Sequence, residues 1–218
     1  MAAARSSLCG YPSRAEFLDS HLVALGGTIR GKTTTLRLPV ETDLETYNQW
    51  MADMRVRRAH SVWQEPAMPA TWKERFKAIA KEKMDVLWSI DADRGLVGLA
   101  AGSFWSVTQP GFTLRQFLIA PDEWRKGYGF DAALALHRYL FDYLDLPRAG
   151  VELRADNGAA LRIAERIGYV EYARGHEVHY RDGGYVDEVQ LFMGKNTWHE
   201  RWGATEREYA PLAPDATR

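Results

Sequence analysis

The chain predicts an α+β fold: a three-layer α/β arrangement in which one mixed sheet carries helices on both faces. Three observations support it. β-Branched and aromatic runs of strand length alternate with capped amphipathic stretches of helix length. Two strand-to-helix joints carry strong local signals, the glycines Gly127 and Gly129 at one and the N-cap residue Asn157 at the other. Turn residues at Asp91-Ala-Asp-Arg-Gly95 and Asp182-Gly183 separate strand-like runs and predict hairpins.

Met1 to Gly10 is small and polar. Ser13-Arg-Ala-Glu16 is a capping box that opens a short helix, with Phe17, Leu18, Leu22 and Val23 on its apolar side and Gly26-Gly27 as its stop. Thr33 to Val40 alternates and is β-branched, hence a strand. Thr42 or Asp43 caps a helix through Met54, and Arg55 to Pro69 reads as irregular. Thr71 caps a further helix to about Met84, and Asp85 to Ile90 and Leu96 to Val107 read as paired strands. Thr113 to Ala120 is the strand entering the glycine loop. The helix after it carries Leu136, Tyr139, Leu140, Tyr143 and Leu144 at i, i+3, i+4, i+7 and i+8. A strand from Ala149 to Ala155 and a helix from Asn157 to the stop at Gly168 follow, then the hairpin turning at Asp182-Gly183. Thr197 to Arg218, with Pro211 and Pro214, reads as a tail lying on the surface or on a partner. The expected organisation is an extension with a short helix over 1–31, a domain over 32–198 and a tail over 199–218.

Composition narrows the function. A net charge of −1 gives no electrostatic reason to expect a nucleic-acid or membrane-surface partner. A lone cysteine, Cys9, excludes an internal disulfide, and no Cys/His cluster has zinc spacing, so no metal is expected. No apolar run approaches the roughly 20 residues of a membrane-spanning helix, and the first residues lack the apolar core of a signal peptide. Cytoplasm is the expected location, with a homodimer left open.

The stretch Phe117-Leu-Ile-Ala-Pro-Asp-Glu-Trp-Arg-Lys-Gly-Tyr-Gly-Phe130 is the strongest chemical signal. Its two glycines let backbone N–H groups converge, and the helix N-terminus adds partial positive charge. Together they form a phosphate cradle that needs few basic side chains and points to a phosphorylated cofactor. A rival signal, Gly26-x4-Gly31-Lys32-Thr33, matches the phosphate-binding loop of nucleotide hydrolases but lacks the strand before it and the helix after it. Its glycines are explained as a helix stop. His176 and His179, three apart on a strand, point to opposite faces and cannot chelate one ion together. His60 lies where a substrate mouth could form. Arg55, Arg57 and Arg58 form a small basic cluster that suits a solvated helix end. Trp63, Trp72, Trp88, Trp105, Phe104 and Phe117 could wall a pocket or fill a core.

Strand, Pro121, Trp124-Arg-Lys-Gly-Tyr-Gly129, helix, strand, then Asn157-x-x-Ala160…Glu165-Arg-Ile-Gly-Tyr169 resembles the GNAT acyltransferase superfamily. The Asp182-Gly-Gly-Tyr-Val-Asp187 hairpin and Trp198 look most like its branch that acetylates ribosomal-protein N-termini. The resemblance covers about Thr34 to Trp198. It implies a mostly antiparallel GNAT-like sheet and acetyl-CoA as co-substrate. The amides of Arg125, Lys126, Gly127, Tyr128, Gly129 and Phe130 would hold the pyrophosphate. The backbone of Phe117, Leu118 and Ile119 would line the pantetheine and the thioester, and Asn157 would face the pantetheine arm or the reacting centre. The resemblance also places the region of Arg55, Arg57 and Arg58 over the acceptor pocket, where the cluster could greet an anionic substrate. Two positions depart from the superfamily pattern. Trp124 stands where Arg or Gln is usual, and the tyrosine that serves many members as general acid falls at Ala164.

Acyl transfer to an amine needs a neutral nitrogen near the thioester carbon, a stabilised oxyanion and a proton acceptor. An ammonium of pKa ~10 must lose its proton first, whereas an α-amine near ~8 asks less. The backbone N–H of Ile119 or Leu118 would polarise the carbonyl. Glu152 is one candidate base, with an ion pair to Arg154 or Arg162 as its plain alternative; Gln116 and Asp187 are further pocket candidates, and a water chain stays open. The expected acceptor is a primary amine on a small molecule or peptide, such as a protein N-terminus, an amino-acid-like metabolite or an amine antibiotic. The substitution at Ala164 leaves a non-catalytic acyl-CoA-binding module as the rival reading.

Overall fold

The computed structural model describes residues 27–59, 70, 73–74, 76–78, 85–106 and 109–203. The expected helix near Ser13, His60, Trp63, Trp72 and the distal tail lie outside them. Among the described residues, eight strands form one sheet in the order β1-β2-β3-β4-β5-β6-β8-β7. They are β1 (Ile29–Arg30), β2 (Thr35–Arg37), β3 (Asp85–Ala92), β4 (Gly95–Ser106), β5 (Gln109–Ile119), β6 (Arg148–Arg154), β7 (Val170–Arg181) and β8 (Gly184–Gly194). Every pairing is antiparallel except β5 with β6. The helices are α1 (Asp43–Ala52), α2 (Met54–Ala59), α3 (Tyr128–Arg138), α4 (Gly158–Ile167) and α5 (Lys195–Trp202). The expected mixed, mostly antiparallel sheet between helical layers is present.

β3 shows why there are three layers. Val86, Trp88 and Ile90 enter one core with α3, α4 and α5. Leu87 points the other way, into a second core with Leu44 and Tyr47 of α1 and Val56 of α2. A strand buried on both faces must be nearly continuous in apolar residues, and Val-Leu-Trp-Ser-Ile is. Its one polar member, Ser89, is satisfied: it donates to Asp43 Oδ2 at 2.6 Å and meets the Tyr47 hydroxyl at 2.5 Å. Arg37 joins the group by gripping both Asp43 and Asp91.

Several expected boundaries are corrected. The Thr33–Val40 strand shrinks to Thr35–Arg37, and the two-residue β1 pairs with it. The first helix breaks at Asp53, which is extended (ψ 124°) and whose Oδ1 accepts the Arg55 N–H at 2.7 Å, so α2 opens where irregular chain was expected. α3 runs into a π-helical turn over Tyr139–Tyr143, which leaves Tyr143 exposed while Leu136 and Leu140 stay buried. α5 replaces the start of the expected tail. Trp198 is fully buried and donates its indole N–H to Asp142 at 2.7 Å, and Trp202 donates to the Ile167 carbonyl at 2.7 Å. With only those two large apolar residues in eight, α5 has no periodic stripe to reveal it.

Candidate active site

The site begins at a defect in the sheet. Ala101 opposes Gln116 and Gly102 opposes Leu114, so Arg115 is an extra residue on β5. Such a bulge bends the strand that carries it. β5 and β6 pair only from Phe112↔Ala149 to Leu114↔Val151, and at the bulge they part. β5 continues to Ile119 and β6 to Arg154 without pairing to each other, which opens a wedge between them.

The β5 edge facing this wedge has a definite pattern. Ala120 N–H donates to the Val97 carbonyl at 2.8 Å, which makes Ile119↔Gly98 a pair whose own N–H and C=O groups turn away from β4. Alternation gives Phe117 the same orientation and turns Leu118 toward β4. Of the two amides expected to polarise a carbonyl, Ile119 faces the wedge and Leu118 does not. The Ile119 carbonyl accepts the Trp124 indole N–H at 2.7 Å. That bond gives Trp124, at its unusual position, a role in holding the loop.

Beyond β5 a 3-10 turn over Pro121–Glu123 leads into the glycine loop. Arg125 (φ 65°) and Gly127 (φ 90°) are left-handed, an arrangement that turns successive amides inward. Gly127 is the N-cap of α3, and no side chain caps that end. Asp131 N–H closes the first turn on the Gly127 carbonyl, so the N–H groups of Tyr128, Gly129 and Phe130 have no acceptor within the helix. A Cβ on Gly129 would lie 3.5 Å from Ile119 Cγ1 and 3.9 Å from Phe117 Cε1, which shows how closely the uncapped turn approaches the wedge. Three amides without an acceptor among the described residues, a helix dipole and an adjacent strand edge, paired with no other described strand, fit a diphosphate with an extended amide-bearing arm. Lys126 pairs with Glu123 at 2.7 Å, and Arg125 is exposed at the rim.

The far side of the wedge is held by the end of α2. Its Arg58 carbonyl accepts from Arg154 at 2.7 Å and also from Arg181, and its Ala59 carbonyl accepts from the Asn157 amide at 3.0 Å. Asn157 Oδ1 meanwhile accepts the Ala160 N–H at 3.2 Å, so both ends of that amide carry structural bonds. Arg154 pairs with Asp156, Arg58 with Asp182, and Arg55 with Asp53 and Asp122.

Glu152 is exposed on β6, opposite Gln190, and its carboxylate pairs with neither Arg154 nor Arg162. Gln116 is buried beside Leu118, on the α1–α2 face. Asp187 is committed to the hairpin: the Glu177 N–H donates to it, which with Arg174 and His176 holds its carboxyl below the usual range despite some desolvation. His176 faces Asp187 at 3.3 Å and His179 faces Glu188 at 3.0 Å, two separate partnerships. Among the described residues no three His, Cys, Asp or Glu side chains gather around a metal-sized site, and no helix is long and apolar enough to cross a membrane. Trp88 and Phe104 are core, while Trp105 bonds Thr113 and lies under Arg148. Ala164 is buried in α4, on the core side of that helix.

A family model described as an acetyltransferase (GNAT) domain matches residues 33–170. Among solved structures, a spermidine N-acetyltransferase from Vibrio cholerae in complex with CoA and spermine superposes with a TM-score of 0.68 at 18% identity, covering 76% of this chain and 98% of its own. The ribosomal L7/L12 α-N-protein acetyltransferase RimL in complex with coenzyme A gives 0.68 at 14% identity, covering 77% and 98%. A GCN5-related N-acetyltransferase from Brucella melitensis gives 0.68 at 16% identity, covering 94% and 90%. No curated protein matches the sequence.

Proposed function

Because the chain belongs to the GNAT acetyltransferase family, whose co-substrate is acetyl-CoA, we propose that it transfers the acetyl group to a primary amine by direct attack on the thioester. The observation that carries this reading is the wedge itself: the edge of β5 that turns away from β4 at Phe117 and Ile119 runs up to the uncapped amides of Tyr128, Gly129 and Phe130. In this reading those amides, with the loop from Arg125, bind the pyrophosphate, and the β5 edge from Phe117 through Leu118 to Ile119 lines the pantetheine. The Ile119 N–H donates to the thioester carbonyl and stabilises the developing oxyanion. Glu152, exposed and without an ion pair among the described residues, accepts the amine proton directly or through water. Asn157 positions the mouth by tying α4 to α2.

The acceptors weighed are a protein N-terminus, an amino-acid-like metabolite and an amine antibiotic. The ribosomal-protein branch is favoured by the Asp182-Gly-Gly-Tyr-Val-Asp187 hairpin and by the burial of Trp198. RimL acts on a ribosomal protein N-terminus and the Vibrio enzyme on spermidine, so both classes belong in the test. Thiol release from acetyl-CoA is measured across alanine- and serine-initiated peptides, free amino acids, polyamines and aminoglycosides. Turnover with at least one primary amine is the expected result. A protein that binds CoA yet releases thiol with none of them would refute the reading.

A further inference from the structure

The Gly31-Lys32-Thr33-Thr34 segment, dismissed above as a nucleotide site, is nevertheless an anion nest, and its anion belongs to the protein. Lys32 N–H donates to Asp131 Oδ1 at 2.9 Å, and the N–H groups of Thr33 and Thr34 donate to Oδ2, each at 2.9 Å. The hydroxyls of Thr33 and Thr34 add bonds to Oδ2 at 3.2 and 2.7 Å. Gly31 is glycine because a Cβ there would collide with Asp131 Oδ2, which corrects its reading as part of a helix stop. Thr34 and Asp131 are 3% and 8% exposed, so the two Thr34 bonds are shielded from water, while those from Lys32 and Thr33 lie toward the rim.

Asp131 is the fourth residue of α3, directly after the three residues whose amides are free. Its N–H closes the first helical turn on Gly127, while its carboxylate ties that turn to the β1–β2 hairpin. Gly129 abuts Ile163 of α4 and Ile119 of β5, and Phe130 packs on Trp202 of α5 beneath Arg166. Helix ends fray unless held, and three donors serve one diphosphate only while they stay convergent. Of these holds, the five bonds to a carboxylate are the directional and charge-assisted one.

We propose that Asp131 is a positioning residue for coenzyme A: its carboxylate, seated in the Gly31–Thr34 nest, holds the first turn of α3 so that the amides of Tyr128, Gly129 and Phe130 meet the pyrophosphate together. This rests on the acetyl-CoA reading above. It also makes a prediction opposite in sign to simple charge repulsion. A carboxylate near a diphosphate disfavours it, so neutralising Asp131 would tighten binding if charge alone mattered. Positioning requires neutralisation to weaken it.

The test is calorimetric titration of coenzyme A into the full chain and its Asp131→Asn, Gly31→Ala and Thr34→Val variants, beside a core control, Leu146→Ala. Asp131→Asn is expected to weaken CoA on the order of tenfold, the loss of one hydrogen bond to a charged group. Gly31→Ala and Thr34→Val, which disturb the nest and keep the charge, should weaken it by smaller factors. They decide the matter if Asp131→Asn does not fold. Leu146→Ala, with a comparable drop in melting temperature, should bind CoA like the parent. No heat from the parent itself would sink the acetyl-CoA reading. Normal binding by the parent, with nest variants that bind equally or more tightly, would overturn the role of Asp131 alone. So would a control weakened as much as they are.

Discussion

The two loop glycines look alike in sequence, but the structure gives them different tasks, and alanine at each should separate them. Gly127 has φ 90° and ψ −11°, and a Cβ there would meet no atom within 4 Å. Space is therefore no obstacle, and the cost is backbone strain, about 1–2 kcal/mol for an L-residue held left-handed. If the variant keeps its conformation, that sum appears as lost stability. If φ relaxes to a negative value, the peptide at the mouth of α3 rotates, and CoA must restore it on binding, which costs about 5- to 30-fold in affinity. The stability and binding losses should together come to about 1–2 kcal/mol. Gly129 has no positive φ, and its Cβ would lie 3.3 Å from the terminal methyl of Ile163, a flexible neighbour. Alanine inside a helix gains roughly 0.5–1 kcal/mol over glycine, which offsets the crowding. Gly129→Ala should thus melt and bind CoA much like the parent. Urea denaturation and CoA calorimetry on both variants check this. If Gly129→Ala proves the more damaging, or Gly127→Ala leaves both quantities unchanged, the cradle does not depend on the left-handed turn.

Acid should destabilise the protein through His137, which is buried against Trp198 and Tyr169; it donates Nδ1–H to the Ala133 carbonyl and accepts the Tyr169 hydroxyl at Nε2, both at 2.6 Å. Burial lowers its pKa from 6.5 to about 4, so the unfolded chain takes up the proton first. Stability present above pH 6.5 should fall by roughly 3 kcal/mol as the pH drops to about 4. Urea midpoints across that range should show the slope, and it should flatten in His137→Gln. Asp43 presents the opposite balance: burial pushes its carboxyl up, but hydrogen bonds from Arg37, Ser89 and the Val40 N–H outweigh this and hold it below its ordinary value. Asp43→Ala should cost about 2–4 kcal/mol by removing the acceptor shared by Arg37, Ser89 and the Val40 N–H and leaving Arg37 with Asp91 alone, and a loss under ~1 kcal/mol would show that the network is not coupled.

What could be read in advance was local. The Asp91–Gly95 and Asp182-Gly183 turns, the Asn157 cap and the Gly168 stop, at φ 122°, each rest on the conformational preference of a residue or two. The glycine loop was legible for the same reason. What could not be read was set by partners distant in sequence. The nest at Lys32–Thr34 exists because Asp131, nearly a hundred residues later, fills it. The wedge depends on one unpaired residue, Arg115, whose side chain carries no bulge signal. α5 is held by acceptors on Asp142 and Ile167 rather than by its own pattern. α2 was missed although Asp53, a good N-cap residue, stood in plain view before it.

The basic cluster on α2 also changes meaning once its partners are known. As Arg55, Arg57 and Arg58 it suggested a greeting for anionic acceptors, but two of the three are engaged inside the protein. Arg55 lies between Asp53 and Asp122, and Arg58 holds Asp182 at the tip of the β7–β8 hairpin. Exposed pairs of this kind add little stability, yet they cancel charge locally. The backbone of the same helix end, through the Arg58 and Ala59 carbonyls, fastens β6, the cap of α4 and the hairpin. The carbonyls of α2 and two of its three arginines thus frame the wedge. Glu152, exposed beside that frame and without an ion pair among the described residues, adds negative charge near the mouth. That charge is consistent with the acceptor proposed above, a primary amine, which is a cation at neutral pH.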